Sequence, residues 1–341
     1  MSKTLIILGN GFSIDFITKF NDYLISKNKE KTTIDLNNLF SLGDKVFNPW
    51  NHQSGFLSFE DCPALWTLGA HPNNSTQEAS KLLSDIVTCA NMFKNQKDDI
   101  GFAKVDQIYL KAYCELISYL KSLFVFYNEQ IQDSDIESFL NETSWGWKSF
   151  FKNLERAKDT DEYIFVTYNY DIWLERILKS LNIKFSCLNQ NRSKNVKIYK
   201  PHGSINYCSK DDLSINSYTA HKYSLLDDYK NLIIYEKDML KYKGILSPPA
   251  GESKNSGQWT NKIRTQVIKK AGELSENDKI ILCGISYWFV DRYEIDRLLL
   301  SVNPETSLVY INPNPPSELN SVLMIIFKKY KLYQTSDNIG E

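Results

Sequence analysis

At 341 residues the chain is longer than one small module and predicts two domains, or one domain carrying a large insertion. Lys+Arg 40 against Asp+Glu 41 leaves a net charge of -1, so no global charge excess draws it to nucleic-acid phosphates or to an anionic membrane. Aromatic residues at 13% argue against disorder, and nowhere do about 18 apolar residues run together as a transmembrane helix requires.

The first element is an expected buried strand, Thr4 to Leu8. It is too short for the apolar region of a secretory signal and runs into Gly9-Asn10-Gly11 rather than a cleavage site. From Ser13 the spacing of Phe16, Ile17, Phe20, Tyr23 and Leu24 predicts a helix. Strand, glycine turn and helix open a nucleotide-binding α/β unit, so the expected fold class is α/β, a Rossmann-like parallel sheet flanked by helices. Gly9 and Gly11 would let backbone N–H groups approach a phosphate, with Ser13 adding a hydroxyl; the same residues also read as an ordinary tight turn closed by a serine cap. Ile14 stands where the dehydrogenase fingerprint needs its last glycine, which weakens a hydride-transfer reading.

The next strand of comparable quality is Tyr163 to Val166, and the long interval implies an insertion. The expected division is residues 1–27 for the first strand, glycine loop and helix, 28–158 for a mainly helical insertion, and 159–341 for the rest of the Rossmann-like domain. Asn28 to Asn73 reads as loops and short helices over the site. Val105, Tyr109, Ala112, Leu116, Leu120, Leu123 and Tyr127 step by three or four, as a helix does. Capping boxes are expected at Ser75-x-x-Glu78 and Ser134-x-x-Glu137.

After Val166 the α/β alternation resumes. Thr167-Tyr168-Asn169-Tyr170-Asp171 leads into a helix with Leu174, Ile177, Leu178 and Leu181 on one stripe. Val196 to Tyr199 runs into Pro201-His202-Gly203, Lys279 to Cys283 into Gly284-Ile285-Ser286, and Leu308 to Ile311 into Asn312. Residues 208–256 read as a polar excursion beside the pocket. Small or polar residues thus recur at strand carboxyl ends, where an open parallel sheet places its ligand. Asn169 offers a dipole that cannot titrate, Asp171 either a site carboxylate or a helix cap before Ile172, and His202 either a general base or a loop histidine bonded to backbone. His52, His71 and His221 have no comparable setting. The cysteines Cys62, Cys89, Cys114, Cys187, Cys208 and Cys283 form no C-x-x-C pair, which excludes a zinc ribbon, and reduced thiols in a cytoplasmic protein are expected.

Taken in order, Gly9-x-Gly11-x-Ser13, Thr167-x-Asn169-x-Asp171, His202-Gly203, Gly284-x-Ser286 and Ile311-Asn312 resemble the sirtuins, NAD-consuming enzymes with a Rossmann-type domain. Sirtuin deacylases carry paired cysteines after the His-Gly, whereas this chain has Cys208 alone before Cys283. Gly284-Ile285-Ser286-Tyr287-Trp288 with Asp291 and Ile295 looks instead like the zinc-free, NAD-hydrolysing antiphage effectors of abortive infection. The resemblance implies an NAD+ glycohydrolase that takes NAD+ as substrate and needs no metal. It implies catalytic roles for Asn169, His202 and Asp171, and NAD contacts from Gly9, Asn10, Gly11, Phe12, Ser13, Asp15, Thr167, Tyr168, Gly203, Gly284, Ser286 and Asn312. It further implies a homo-oligomer without membrane association, gated by assembly or by a partner such as a HerA-type ring ATPase or a nucleic-acid sensor. Two other readings share these residues: a non-catalytic NAD or ADP-ribose sensor and, at a greater distance, an NAD-dependent protein deacylase.

Overall fold

The computed structural model describes residues 2–49, 53–95, 108–155, 161–188, 190, 192–209, 229–241, 245–248 and 258–339. The strands are β1 Lys3–Leu8, β2 Glu162–Thr167, β3 Ser186–Cys187, β4 Val196–Tyr199, β5 Gly203–Ser204, β6 Tyr207–Ser209, β7 Leu232–Ile234, β8 Ile245–Leu246, β9 Lys279–Cys283, β10 Ser307–Ile311 and β11 Tyr330–Tyr333. Seven of them form one sheet in the order β11-β10-β9-β1-β2-β4-β3, every neighbouring pair parallel. β1 is central because Leu5 to Leu8 are apolar throughout and fully buried, as a strand covered on both faces requires. From β1 the sheet grows one way through β2 and the other way through β9, so the topological switch point lies between the carboxyl ends of β1 and β9.

The expected strands all form. β11 was not foreseen: Tyr-Lys-Leu-Tyr lies at the sheet edge with its middle residues exposed, so it lacks the apolar run that marks an inner strand. Much of the expected polar excursion, and Val105, lie outside the described residues, as do His52 and His221. The described parts of the excursion pair locally, β5 with β8 and β6 with β7, both antiparallel.

Helix α1, Asn10–Ser26, follows β1 directly. The insertion contributes α2 Pro63–Thr67, α3 Thr76–Asn95, α4 Ile108–Glu129, α5 Asp133–Glu142 and α6 Gly146–Glu155. α4 is buried on nearly every face, Glu115 and Lys121 included, and so serves as an internal axis rather than an amphipathic surface helix. The Glu115 carboxylate accepts from the N–H groups of Ala64 (3.2 Å) and Leu65 (2.8 Å), which ties α2 to α4. One continuous buried cluster runs from the sheet into the insertion. At their junction Phe12, Phe16, Phe20, Phe139, Trp145, Trp147 and Phe151 interlock, with Phe12 edge-on to Trp147 at 5.2 Å. Among the described residues no helix is long and apolar enough to cross a membrane.

The first capping box closes as expected: Ser75 N–H donates to Glu78 Oε2 (2.8 Å) and Glu78 N–H to Ser75 Oγ (3.3 Å). Ser75→Ala is expected to lower stability by about 1 kcal/mol, read as a shifted urea midpoint at unchanged slope. The second box is not used. α5 begins at Asp133 with Gln132 at the cap position, which puts Ser134 inside the first turn, where Asp133 and Asp135 complement the helix dipole. Ile172, not Asp171, occupies the cap position of α7, Trp173–Ser180, although Asp171 Oδ1 still accepts the Trp173 N–H at 3.1 Å.

Candidate active site

At the switch point the chain crosses itself at very short range. Gly9 N–H donates to Cys283 O (2.9 Å) and Gly11 N–H to Gly284 O (3.1 Å). A Cβ on Gly11 would stand 2.4 Å from Gly284 Cα, and Gly284 itself has φ +62. These glycines are therefore needed so that α1 can start against β9. Their N–H groups are used inside the protein, so the expected phosphate cradle of Gly9 and Gly11 is corrected to a backbone crossing.

Two cavities flank this crossing. The smaller, about 190 Å³, is lined by Gly9, Asn10, Tyr168, Asn169, Tyr170, His202, Ile285, Ser286, Trp288 and Asp291, and is roofed by Leu39, Leu83, Val87, Leu116 and Leu120 of the insertion. The larger, about 730 Å³, lies over the carboxyl ends of β9 and β10 and is lined by Asn10, Gly11, Asp15, Gly284, Ser286, Asn312, Asn314 and Asp337, among others. Asn10, Ile285 and Ser286 belong to both, so the two spaces adjoin at one point.

Asn169 is held in one orientation. Its Nδ2 donates both to Gly9 O (2.9 Å) and to Ser13 Oγ (2.8 Å), and its own N–H donates to Thr167 Oγ1 (3.2 Å). Because Gly9 O can only accept, the amide must present nitrogen there, which leaves Oδ1 as the acceptor on the cavity wall. Ser13 Oγ in turn donates to Asp171 Oδ2 at 2.7 Å. Ser13 and Asp171 thus stand behind Asn169, both buried, and neither lines either of these cavities; Ser13 Oγ links the carboxamide to Asp171. The Lys200 ammonium, fully buried, donates to Asp171 O and to Glu175 Oε1 and anchors the loop from below. Burial pushes the Asp171 carboxyl above the ordinary range, against the pull of Lys200 and the Ser13 hydroxyl.

His202 sits on the turn between β4 and β5 and is 3% exposed. Gly203 adopts φ +83 where a Cβ would strike Ile245 O at 2.1 Å, and Ser247 N–H donates to His202 O at 2.9 Å, so the turn is clamped against β8. Gly203 supports the histidine from behind the cavity. The imidazole lies against the Tyr168 ring, with centroids 5.0 Å apart, and its Nε2 faces Glu294 Oε2 at 3.3 Å and Asp291 Oδ1 at 3.8 Å. Glu294 is also paired with Arg264, at 2.8 Å. Burial would raise the Glu294 carboxyl, but Arg264 and His202 together hold it below the usual range. Burial lifts Asp291 to about 6, against the pull of His202 and Arg264 and with Glu294 adding to the rise. A carboxylate facing Nε2 makes that nitrogen the donor, so a neutral ring keeps its lone pair on Nδ1.

The other expected contacts divide by position. Asn10 reaches both cavities while its Nδ2 donates to Leu36 O (3.1 Å). Asp15 lines the larger cavity, and its Oδ2 accepts from Trp145 Nε1 (2.8 Å) and Ser336 Oγ (3.0 Å). Asn312 lines the same cavity, its Nδ2 bonded to Tyr310 Oη (2.9 Å) and its Oδ1 to Asn314 N–H (3.0 Å). Ser286 is exposed where the cavities adjoin. Phe12 and Thr167 are corrected to buried support: Phe12 packs in the aromatic cluster, away from both cavities, because α1 turns that face inward. Glu294 and Arg264 escaped sequence reasoning, since only folding brings two later helices against the His202 turn. The i, i+3 spacing of Asp291 and Glu294, which places both on one helix face, was the available signal. Compared with protein-family models and with curated proteins, the chain matches none.

Proposed function

We propose that the protein cleaves NAD+ at the bond between nicotinamide and ribose, releasing nicotinamide and ADP-ribose. One observation carries the reading: a carboxamide whose nitrogen is fixed by two hydrogen bonds lines the same small cavity as a buried histidine, beside a larger cavity over the switch point. The smaller cavity takes the nicotinamide ribose and the larger takes the adenosine half, with the phosphates passing Asn10 and Ser286. Nicotinamide leaves as a neutral base while positive charge develops on the ribose. Catalysis therefore needs orientation and charge stabilisation more than leaving-group activation. Asn169 Oδ1 accepts from a ribose hydroxyl or the attacking water, and His202 receives the proton that water gives up. A deacylase of the zinc-ribbon type is disfavoured because Cys208 alone stands between His202 and Cys283.

The test is chromatography of NAD+ incubated with the pure protein and with lysate of cells producing it. Equimolar nicotinamide and ADP-ribose are expected. NAD+ that binds but stays intact in both settings would replace this reading with the sensor.

A further inference from the structure

The small cavity holds a charge imbalance that Asn169 and His202 do not use. Two carboxylates, Asp291 on the cavity wall and Glu294 outside its lining, face His202 together with one permanent cation, Arg264. Arg264 Nη2 pairs with Glu294 at 2.8 Å, while its Nε is buried without a partner among the described residues. Asp291 Oδ1 is buried and has no hydrogen-bond partner among the described residues, at 3.8 Å from His202 Nε2, and Asp291 lines the cavity. A carboxylate oxygen stripped of water without a partner is costly, and such sites recur where a ligand supplies the missing charge. The neighbouring phenol does not meet it either, since Tyr168 Oη is also buried without a partner among the described residues. Leu83, Leu116 and Ile295 make the wall beside it apolar, which strengthens a Coulomb interaction there.

We propose that Asp291 is the counter-charge of the reaction centre: its carboxylate selects the cationic nicotinamide end of NAD+ over a neutral one and stabilises the positive ribose as the bond breaks. This rests on the NAD-cleaving reading above and adds a catalytic residue and a redox-state specificity to it. In the step itself the C1′–N1 bond breaks and its electron pair goes to the pyridine nitrogen, which becomes neutral. Water oxygen then bonds C1′, and the water proton passes to His202 and on to solvent. Asp291 changes no bond. Its ionised form is needed throughout; burial lifts its carboxyl, while His202 and Arg264 pull it down towards the ionised form.

The experiment measures binding of NAD+ and NADH to the full chain in the cold, with nicotinamide release followed in parallel, for the wild type, Asp291→Asn and Asp291→Glu. NADH differs from NAD+ chiefly in lacking the ring's positive charge. Wild type is expected to prefer NAD+ by about tenfold or more, about 1.4 kcal/mol. Asp291→Asn should lose that preference and release nicotinamide about 100-fold more slowly, while Asp291→Glu keeps the preference. Asp291→Asn should melt no lower than wild type, because it removes a desolvated charge. Equal wild-type affinity for the two forms, which needs no variant, overturns the assignment and leaves the cleavage reading standing. A preference that survives in Asp291→Asn does the same. Failure of the wild type to bind either dinucleotide overturns the cleavage reading itself.

Discussion

Asn169→Asp is expected to lower nicotinamide release by about 100- to 1,000-fold, although the two side chains have nearly the same shape. The amide nitrogen donates at 2.9 Å to Gly9 O and at 2.8 Å to Ser13 Oγ, and an aspartate has nothing to donate. Oxygen would face the Gly9 carbonyl, and a second carboxylate would share Ser13 with Asp171, whose own carboxyl burial already pushes up. The side chain must turn away, and Oδ1 leaves the cavity wall. His202→Ala tests the partner role and is expected to cost about 100- to 10,000-fold, the range of a lost general base. Single-turnover nicotinamide release separates these effects from binding, and thermal melts report whether the loop has collapsed. A rate within tenfold of wild type for Asn169→Asp would show that the carboxamide does not orient the reaction.

Gly284→Ala is expected to destabilise the fold by about 3–5 kcal/mol, combining overpacking with a left-handed backbone that an L-residue resists. Its Cβ would lie 2.3 Å from Gly11 Cα and 2.6 Å from Gly11 N, both backbone atoms at the start of α1. Relief requires moving β9 away from β1 at their carboxyl ends, which breaks the bonds from Gly9 N–H to Cys283 O and from Gly11 N–H to Gly284 O. Against a usual total of about 5–15 kcal/mol, that is a large fraction. Gly272→Ala is the control, since a Cβ there meets only Ser301 O at 3.5 Å; its stability should change by no more than about 0.5 kcal/mol. Urea titrations of the two variants make the comparison, and equal midpoints for both would mean that the glycine crossing is not tight in solution.

The grouping of part of the candidate site was legible because local chemistry carries it. Asn169, His202, Asn10 and Ser286 each follow an apolar strand by a few residues, and a parallel sheet brings all such ends to one edge. Orientation was not legible. Ser13 and Asp171 lie in the same motif segments, yet α1 and the turn before α7 bring them inward, where they bond each other at 2.7 Å. Phe12, an NAD contact by the resemblance, occupies the inner face of α1 among Trp145, Trp147 and Phe151. Both segments contain polar or aromatic residues at spacings that suit either direction, and packing chooses.

The sequence by itself determined the Rossmann-like α/β class and the buried strands that build the middle of the sheet. These follow from apolar runs and turn residues, interactions that act within a few positions along the chain. Only the tertiary structure decided that Gly9 and Gly11 close against Gly284 instead of exposing their N–H groups, and that Leu39, Leu83 and Leu116 roof the small cavity. It also decided that Asp291, Glu294 and Arg264 surround His202. Each of these pairings joins residues distant in the chain. Their energies depend on distances of a few ångströms and on exclusion of water, and neither quantity exists until the sheet and the insertion have packed together.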